Sequence, residues 1–381
     1  MADVRPLPAL RYAEQLSPVV APPYDVLTEQ EVAAFRAASP HNVVHLTRPG
    51  SDYQGAASLL QRWVAENVLV EEAQHVMYVH ETRFAGAGQS VRSRRDLLCA
   101  LRLEPYHHRV VLPHERTHPG PKEDRLSLLQ TTGVALEPLW FLTQDLDALL
   151  DDQPEPVEVR EFTFAGEQHL LRTIADPSWL ARVSMLLAER PVLIADGHHR
   201  YETTLLFSQE VGGDADAASR FTLALLTDLA DPGLVVLPTH RVMTAGVAVT
   251  GGEPAASLAE TLAALEVPGR LAAGYYREGS FQVLPLDGDV AVLEVHRQVI
   301  DNLLGRRDPE QHLLYTRDAE EAVRWVDEGQ GVAAFFLGAP DLAGVLAAAE
   351  GGTTMPQKST YFAPKPPSGM AFHRLDPARH L

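Results

Sequence analysis

Apolar and polar residues change their spacing repeatedly along this chain, and each change marks an element. Thr28-Glu29-Gln30-Glu31 sets a hydroxyl and a glutamate three positions apart, the pattern of a capped helix start running towards Arg36. An apolar stretch, Val43 to Leu46, follows, and Leu59, Leu60, Trp63 and Val64 recur at helical spacing. Val76 to Phe84 and Asp96 to Leu103 read as strands that pair across a turn at Gly86-Ala87-Gly88. After Pro105 a polar, proline-bearing stretch from Tyr106 to Pro121 leads into a helix from Lys122 to about Thr132. Val157 to Phe164 alternates like a half-buried strand, turns at Ala165-Gly166-Glu167 and returns as His169 to Ile174, a hairpin. Pro191 to Ala195 is a short apolar strand, Asp196-Gly197 a sharp turn, His198 to Val211 a helix and Phe221 to Leu226 a buried strand. Strands near Phe281 to Leu286 and Val332 to Leu337 then alternate with helices near Ala319 to Glu328 and Asp341 to Glu350. The fold class expected is α/β (α+β mixed), without internal repeats. From Thr353 onwards turn residues are too frequent for core, so this tail is expected outside it.

Composition narrows the function classes. The 381 residues, 45% hydrophobic with mean hydropathy -0.10, suffice for two or three lobes. A net charge of -19, with no stripe of Lys and Arg, argues against a nucleic-acid partner. No apolar run reaches the roughly 18 residues of a membrane span. Met1 to Leu10 also lacks the basic-then-apolar pattern of an export signal, so the expected location is cytoplasmic, with no membrane partner. Cys99 is the only cysteine, which rules out a disulfide or a cysteine-based zinc site within one chain, and its leucine neighbours predict a buried strand.

Three clusters carry candidate chemistry. In Val192-Leu193-Ile194-Ala195-Asp196-Gly197-His198-His199-Arg200 a buried strand delivers a helix N-terminus, with its unpaired N–H groups, beside several ionisable side chains. Gly197 lets backbone approach a ligand, His198, His199 and Arg200 supply donors suited to phosphate, and Asp196 can bind Mg²⁺ or take a proton. The alternative is an aspartate cap followed by solvated histidines. The second cluster is Leu112-Pro113-His114-Glu115-Arg116-Thr117-His118, where Glu115 beside His114 can act as general base for a hydroxyl. His114 and His118 also stand four apart, but no H-E-x-x-H is present and Pro119 opposes a helix through them. In the third, Pro356-Gln357-Lys358-Ser359-Thr360-Tyr361, Lys358 and the hydroxyls of Ser359 and Thr360 suit a carboxylate or phosphate, the alternative being a surface loop. Thr239-His240-Arg241, Glu294 with His296, and the stiff Pro22-Pro23-Tyr24-Asp25 turn are weaker candidates. Walker, Rossmann and protein-kinase signatures are all missing from the sequence.

These blocks, with Val20-Ala21-Pro22-Pro23-Tyr24-Asp25-Val26 and Met355-Pro356-Gln357-Lys358-Ser359-Thr360-Tyr361-Phe362, resemble the successive signatures of the domain of unknown function 1015 family. That family is related to the free L-serine kinases of the ParB/sulfiredoxin-like fold. The resemblance implies a ParB/sulfiredoxin-like catalytic core at 106–230, with a hairpin insertion near 145–185, between an N-terminal α/β lobe at 1–105 and a C-terminal α/β lobe at 231–381 that contributes a substrate loop. It implies a kinase that moves a phosphoryl group from ADP or ATP, with Mg, onto free L-serine or a similar hydroxy amino acid to give O-phospho-L-serine. Glu115 then matches the catalytic glutamate, and Asp196 the catalytic aspartate at the metal and phosphate centre. Gly197, His198, His199 and Arg200 would grip the nucleotide's phosphates, while His114, Lys358, Ser359 and Thr360 would bind substrate. Two other classes remain open: a non-catalytic ParB-like nucleotide-binding regulatory module, and a metal-dependent hydrolase using the histidines.

Overall fold

The strands that build the main sheet earn their place through runs of branched and aromatic residues. Leu97 to Leu101 and Phe221 to Leu226 are buried on both faces, as central strands covered by helices must be. The computed structural model describes residues 2–381 apart from 87–89, 118, 247, 250 and 306–310. It divides into two compact units, one formed by Met1–Pro113, Thr117–Leu234 and Pro364–Leu381, the other by His114–Arg116 and Val235–Ala363.

Among the described residues, nine strands of the larger unit form a mixed sheet. They are β1 (Val4–Arg5), β2 (Met77–Ala85), β3 (Val91–Arg102), β4 (Val111–Leu112), β5 (Leu139–Thr143), β6 (Glu158–Phe164), β7 (Glu167–Ile174), β8 (Val192–Asp196) and β9 (Phe221–Asp228). Their order is β4-β8-β5-β9-β3-β2-β7-β6, with β1 alongside β3. Only β4 with β8 and β5 with β9 run parallel. Helices α1 (Pro119–Thr132), α2 (Pro177–Leu187) and α3 (His198–Val211) belong to the same unit. The expected pairing of β2 with β3 is present, although the Gly86-Ala87-Gly88 turn lies partly outside the described residues. The β6–β7 hairpin forms one edge of the sheet. Helix α1 begins at Pro119 rather than Lys122, because a proline in the first turn lacks only an N–H that the helix leaves unpaired anyway. Val43 to Leu46 falls on a short helix, Val44–Thr47. Cys99 is buried in β3, where desolvation pushes its thiol far up.

Among the described residues, the larger sheet of the smaller unit has six antiparallel strands: β10 (His240–Met243), β11 (Glu253–Ala255), β12 (Ala272–Arg277), β13 (Ser280–Pro285), β14 (Leu313–Thr316) and β15 (Ala333–Phe336). Their order is β11-β13-β12-β15-β10-β14, and a core of Val242, Tyr276, Ala334 and Phe336 packs against helix Ala319–Asp327. The tail departs from expectation. Met355 and Phe362 are buried in this unit, and Met370, Ala371 and Phe372 in the larger one. Turn residues set the local path there, but the apolar residues among them still gain by leaving water.

A fully buried polar chain crosses the main sheet. Asp96 accepts from Arg94 Nε at 2.9 Å and from the Thr227 hydroxyl at 2.5 Å, and bonds His80 Nδ1 at 3.1 Å; His80 Nε2 meets His169 Nδ1 at 3.1 Å. Burial alone would push the Asp96 carboxyl up, but Arg94 and His80 hold it at about 2. Burial, reinforced by His80, pushes His169 down to about 3, and burial takes His373 to about 4. Both imidazoles are therefore neutral in the fold and titrate higher when unfolded. Their contribution to stability is complete above about pH 6.5 and is lost as pH falls towards 4, at up to about 1.4 kcal/mol per pH unit for each. Urea midpoints measured from pH 7.5 to 4.5 should fall, and His169→Gln should flatten the slope; an unchanged slope would contradict this account.

Candidate functional site

The Asp196 turn is built by three local choices. The ladder between β8 and β5 shifts register between Ile194 and Asp196, a bulge that re-aims the strand's last side chain. Gly197 then adopts φ +100°, the left-handed region that favours glycine. A Cβ there would sit 2.9 Å from Leu139 Cδ2 and 3.1 Å from Arg200 Nη2, so the guanidinium occupies the space a side chain would fill. Helix α3 starts at once, with Gly197, which has no side chain, at its N-cap.

Around that turn, charges alternate. Asp196 Oδ2 accepts from Arg200 Nη2 at 2.7 Å, and Oδ1 accepts from Lys365 Nζ. Arg200 also donates to the Pro138 carbonyl at 3.0 Å and lies 4.0 Å from Glu137. Glu137 in turn accepts from the Tyr24 amide at 2.9 Å and the Ser368 hydroxyl at 2.8 Å. Burial works against the Arg200 charge, but Glu137, Asp196 and Asp25 outweigh it and raise its affinity for the proton. Burial pushes the Tyr24 hydroxyl up to about 12, and its ring lies 4.2 Å under the Arg125 guanidinium. His198 is buried and His199 half-buried. Two cations fixed at a helix N-terminus, next to a glycine, make an arrangement that attracts an anion with several oxygens.

Glu115 is built differently. The His114–Arg116 segment lies parallel to Met355, whose amide donates to the His114 carbonyl at 2.7 Å and whose carbonyl accepts from Arg116 at 3.2 Å. This sets the Glu115 carboxylate inside the 358–360 turn, where it accepts from the amides of Ser359 at 2.8 Å, Thr360 at 3.1 Å and Lys358 at 3.3 Å. Buried His114 shares a hydrogen bond of 2.7 Å with the Thr360 hydroxyl. Lys358 has φ +56° and an exposed side chain, whereas Ser359 and Thr360 are buried. From the carbonyl side, Arg241 Nη2 donates to Lys358 O at 3.1 Å. Burial lowers the Arg241 guanidinium to about 10, against the attraction of Tyr315 and Glu115.

The sequence candidates thus gather in two groups: Asp196, Gly197, His198, His199 and Arg200 in the larger unit, and His114, Glu115, Lys358, Ser359 and Thr360 in the smaller. Lys365 and Glu137 were missed by sequence reasoning. For Lys365 the available signal was a lysine fenced by Pro364 and Pro366; Glu137 had none. Glu294 pairs with Arg297 at 2.7 Å, and His296 receives Arg241 Nε at 3.1 Å. His118 lies outside the described residues, which elsewhere gather no group of three or more His, Cys, Asp or Glu able to hold a metal. One carboxylate whose two oxygens already face cations does not make a protein-held Mg²⁺ site. No described helix is long and apolar enough to cross a membrane.

Residues 4–325 match the family model described as protein of unknown function, DUF1015. The chain belongs to that family. No curated protein matches it. Among solved structures it is similar to a free serine kinase in complex with AMP, at 16% identity over 67% of this chain and 84% of the kinase, with a TM-score of 0.37; a mutant free serine kinase in complex with ADP is similar at 14% identity over the same shares, with a TM-score of 0.36. It is also similar to a conserved hypothetical protein from Pyrococcus furiosus, at 15% identity over 70% of this chain and 92% of that one, with a TM-score of 0.36. Similar as well is SbnI with C-terminal truncation from Staphylococcus aureus, at 12% identity over 72% of this chain and 87% of that one, with a TM-score of 0.38.

If the two cations of the DUF1015 protein's Asp196 turn face an anion, Lys365→Met should weaken binding of inorganic pyrophosphate about tenfold or more, the weight of one charge-assisted hydrogen bond. Isothermal titration calorimetry measures this, and unchanged affinity would remove Lys365 from the site. The same variant should cost less stability than Arg200→Met, which leaves both Asp196 and buried Glu137 short of a cation.

Proposed function

We propose that this protein is a small-molecule kinase with a ParB/sulfiredoxin-like core, moving the terminal phosphoryl group of ADP or ATP onto the hydroxyl of free L-serine or a similar hydroxy amino acid. The observation that carries the reading is the strand-glycine-helix turn at Asp196, which gathers Arg200 and Lys365 at the start of helix α3. Phosphoryl transfer needs positioning and neutralised charge more than covalent help, and this cluster supplies both. The amides after Gly197, with His198, His199, Arg200 and Lys365, hold the phosphates, and Asp196 sets the two cations.

In the step itself, the acceptor oxygen bonds to the terminal phosphorus while the bond from that phosphorus to its bridging oxygen breaks. AMP leaves if ADP is the donor, ADP if it is ATP. The hydroxyl proton passes to Glu115, whose carboxylate the 358–360 amides keep in one orientation. Mg²⁺ bound with the nucleotide would supply further neutralisation of the phosphate charge. A second reading, a non-catalytic nucleotide-binding module, is favoured by one observation: the same amide bonds give Glu115 a purely structural task in shaping the turn.

Purified protein given L-serine, Mg²⁺ and ADP or ATP should form O-phosphoserine, detected by ³¹P NMR. Glu115→Gln should lower turnover about 100-fold or more while nucleotide affinity holds. No product from either donor across a panel of hydroxy compounds, with nucleotide still bound, would leave the binding module standing in its place.

A further inference from the structure

The Pro22-Pro23-Tyr24-Asp25 turn takes no part in the chemistry above, yet it stands beside Arg200 of the Asp196 turn, within the larger unit. Two prolines stiffen its entry, and Tyr24–Val26 forms one tight helical turn closed by the Val26 amide on the Pro23 carbonyl at 3.2 Å. Tyr24 is then held from three sides. Its amide donates to Glu137 Oε1 at 2.9 Å, its carbonyl accepts from Arg48 Nη1 at 3.1 Å, and its ring lies against the Arg125 guanidinium. Arg125 is itself fixed, donating to Asp124 at 2.8 Å and to the Thr47 carbonyl at 2.7 Å, so the ring rests on a rigid support.

All of these anchors engage the backbone or the ring, and none engages the hydroxyl. The phenol oxygen has no hydrogen-bond partner among the described residues, and it is not sealed from solvent. With the ring centre 6.0 Å from the Arg200 guanidinium carbon, this hydroxyl belongs to the surroundings of the anion-attracting turn. Burial pushes it up to about 12, so it keeps its proton, and with it the capacity to donate, throughout the neutral range.

The charges nearby give such a donor its use. Arg200 and Lys365 both face Asp196, Arg200 also lies near Glu137, and Asp25 adds an exposed carboxylate next to Tyr24. An arriving anion therefore meets cations already shared with carboxylates, and a neutral O–H adds a hydrogen bond to it without burying another charge. Packing alone asks only for the ring, which phenylalanine supplies equally well.

We infer that Tyr24 is a ligand-binding residue of the Asp196 site: its hydroxyl donates to an oxygen of the phosphate-class anion that Arg200 and Lys365 attract. The inference rests on the anion-binding reading of that turn and is independent of any acceptor and of catalysis.

The test uses the full chain and inorganic pyrophosphate, with Tyr24→Phe and Lys365→Met compared side by side by isothermal titration calorimetry. Tyr24→Phe should weaken pyrophosphate binding about tenfold, while its thermal midpoint without ligand stays that of the wild type, because the hydroxyl it loses bonds nothing in the protein. Pyrophosphate should also change the near-ultraviolet tyrosine absorbance of the wild-type protein, and that change should shrink in Tyr24→Phe. Wild-type affinity in Tyr24→Phe, with binding weakened in Lys365→Met, overturns the inference and leaves the anion site standing. A wild-type protein that binds no pyrophosphate sinks both.

Discussion

One carboxylate held between two cations organises this protein's candidate chemistry. Asp196 stands at the end of a buried strand, where an ionised side chain is tolerated only with partners, and Arg200 and Lys365 are those partners. Arg200 comes from one helical turn further on, and it fits because residue 197 has no side chain. Lys365 comes from the far end of the chain. Its neighbour Pro364 gives its carbonyl to Arg94 at 2.5 Å, so the buried polar network of the main sheet anchors the segment that carries the lysine. Local sequence, sheet core and C-terminal tail therefore converge on a single charge arrangement.

The smaller unit uses the opposite logic. There a turn is clamped by charges of both signs, Glu115 on its amides and Arg241 on a carbonyl, and the clamp fixes Ser359 and Thr360 in buried positions. Under the kinase reading, the cations and backbone amides of the larger unit serve the phosphate donor.

Much of the fold was legible because its signals are local. The capping box at Thr28, the β6–β7 hairpin and helix α3 follow directly from period and punctuation. The Asp196 turn was equally visible, since strand, glycine and ionisable residues are contiguous. Lys365 and Glu137 were hidden because their meaning lies in partners more than fifty positions away. The tail misled for a related reason: prolines and glycines describe how a chain bends, but burial of Met355, Phe362 and Phe372 depends on which surfaces wait for them.

A crystal structure of the protein with bound ADP tests the central claim most directly. The account predicts the nucleotide's phosphate oxygens within hydrogen-bond distance of the amides following Gly197 and of Lys365 Nζ, with the lysine turned at least partly from Asp196 to the ligand. Phosphates bound elsewhere, with Asp196, Arg200 and Lys365 still closed on one another, would contradict it.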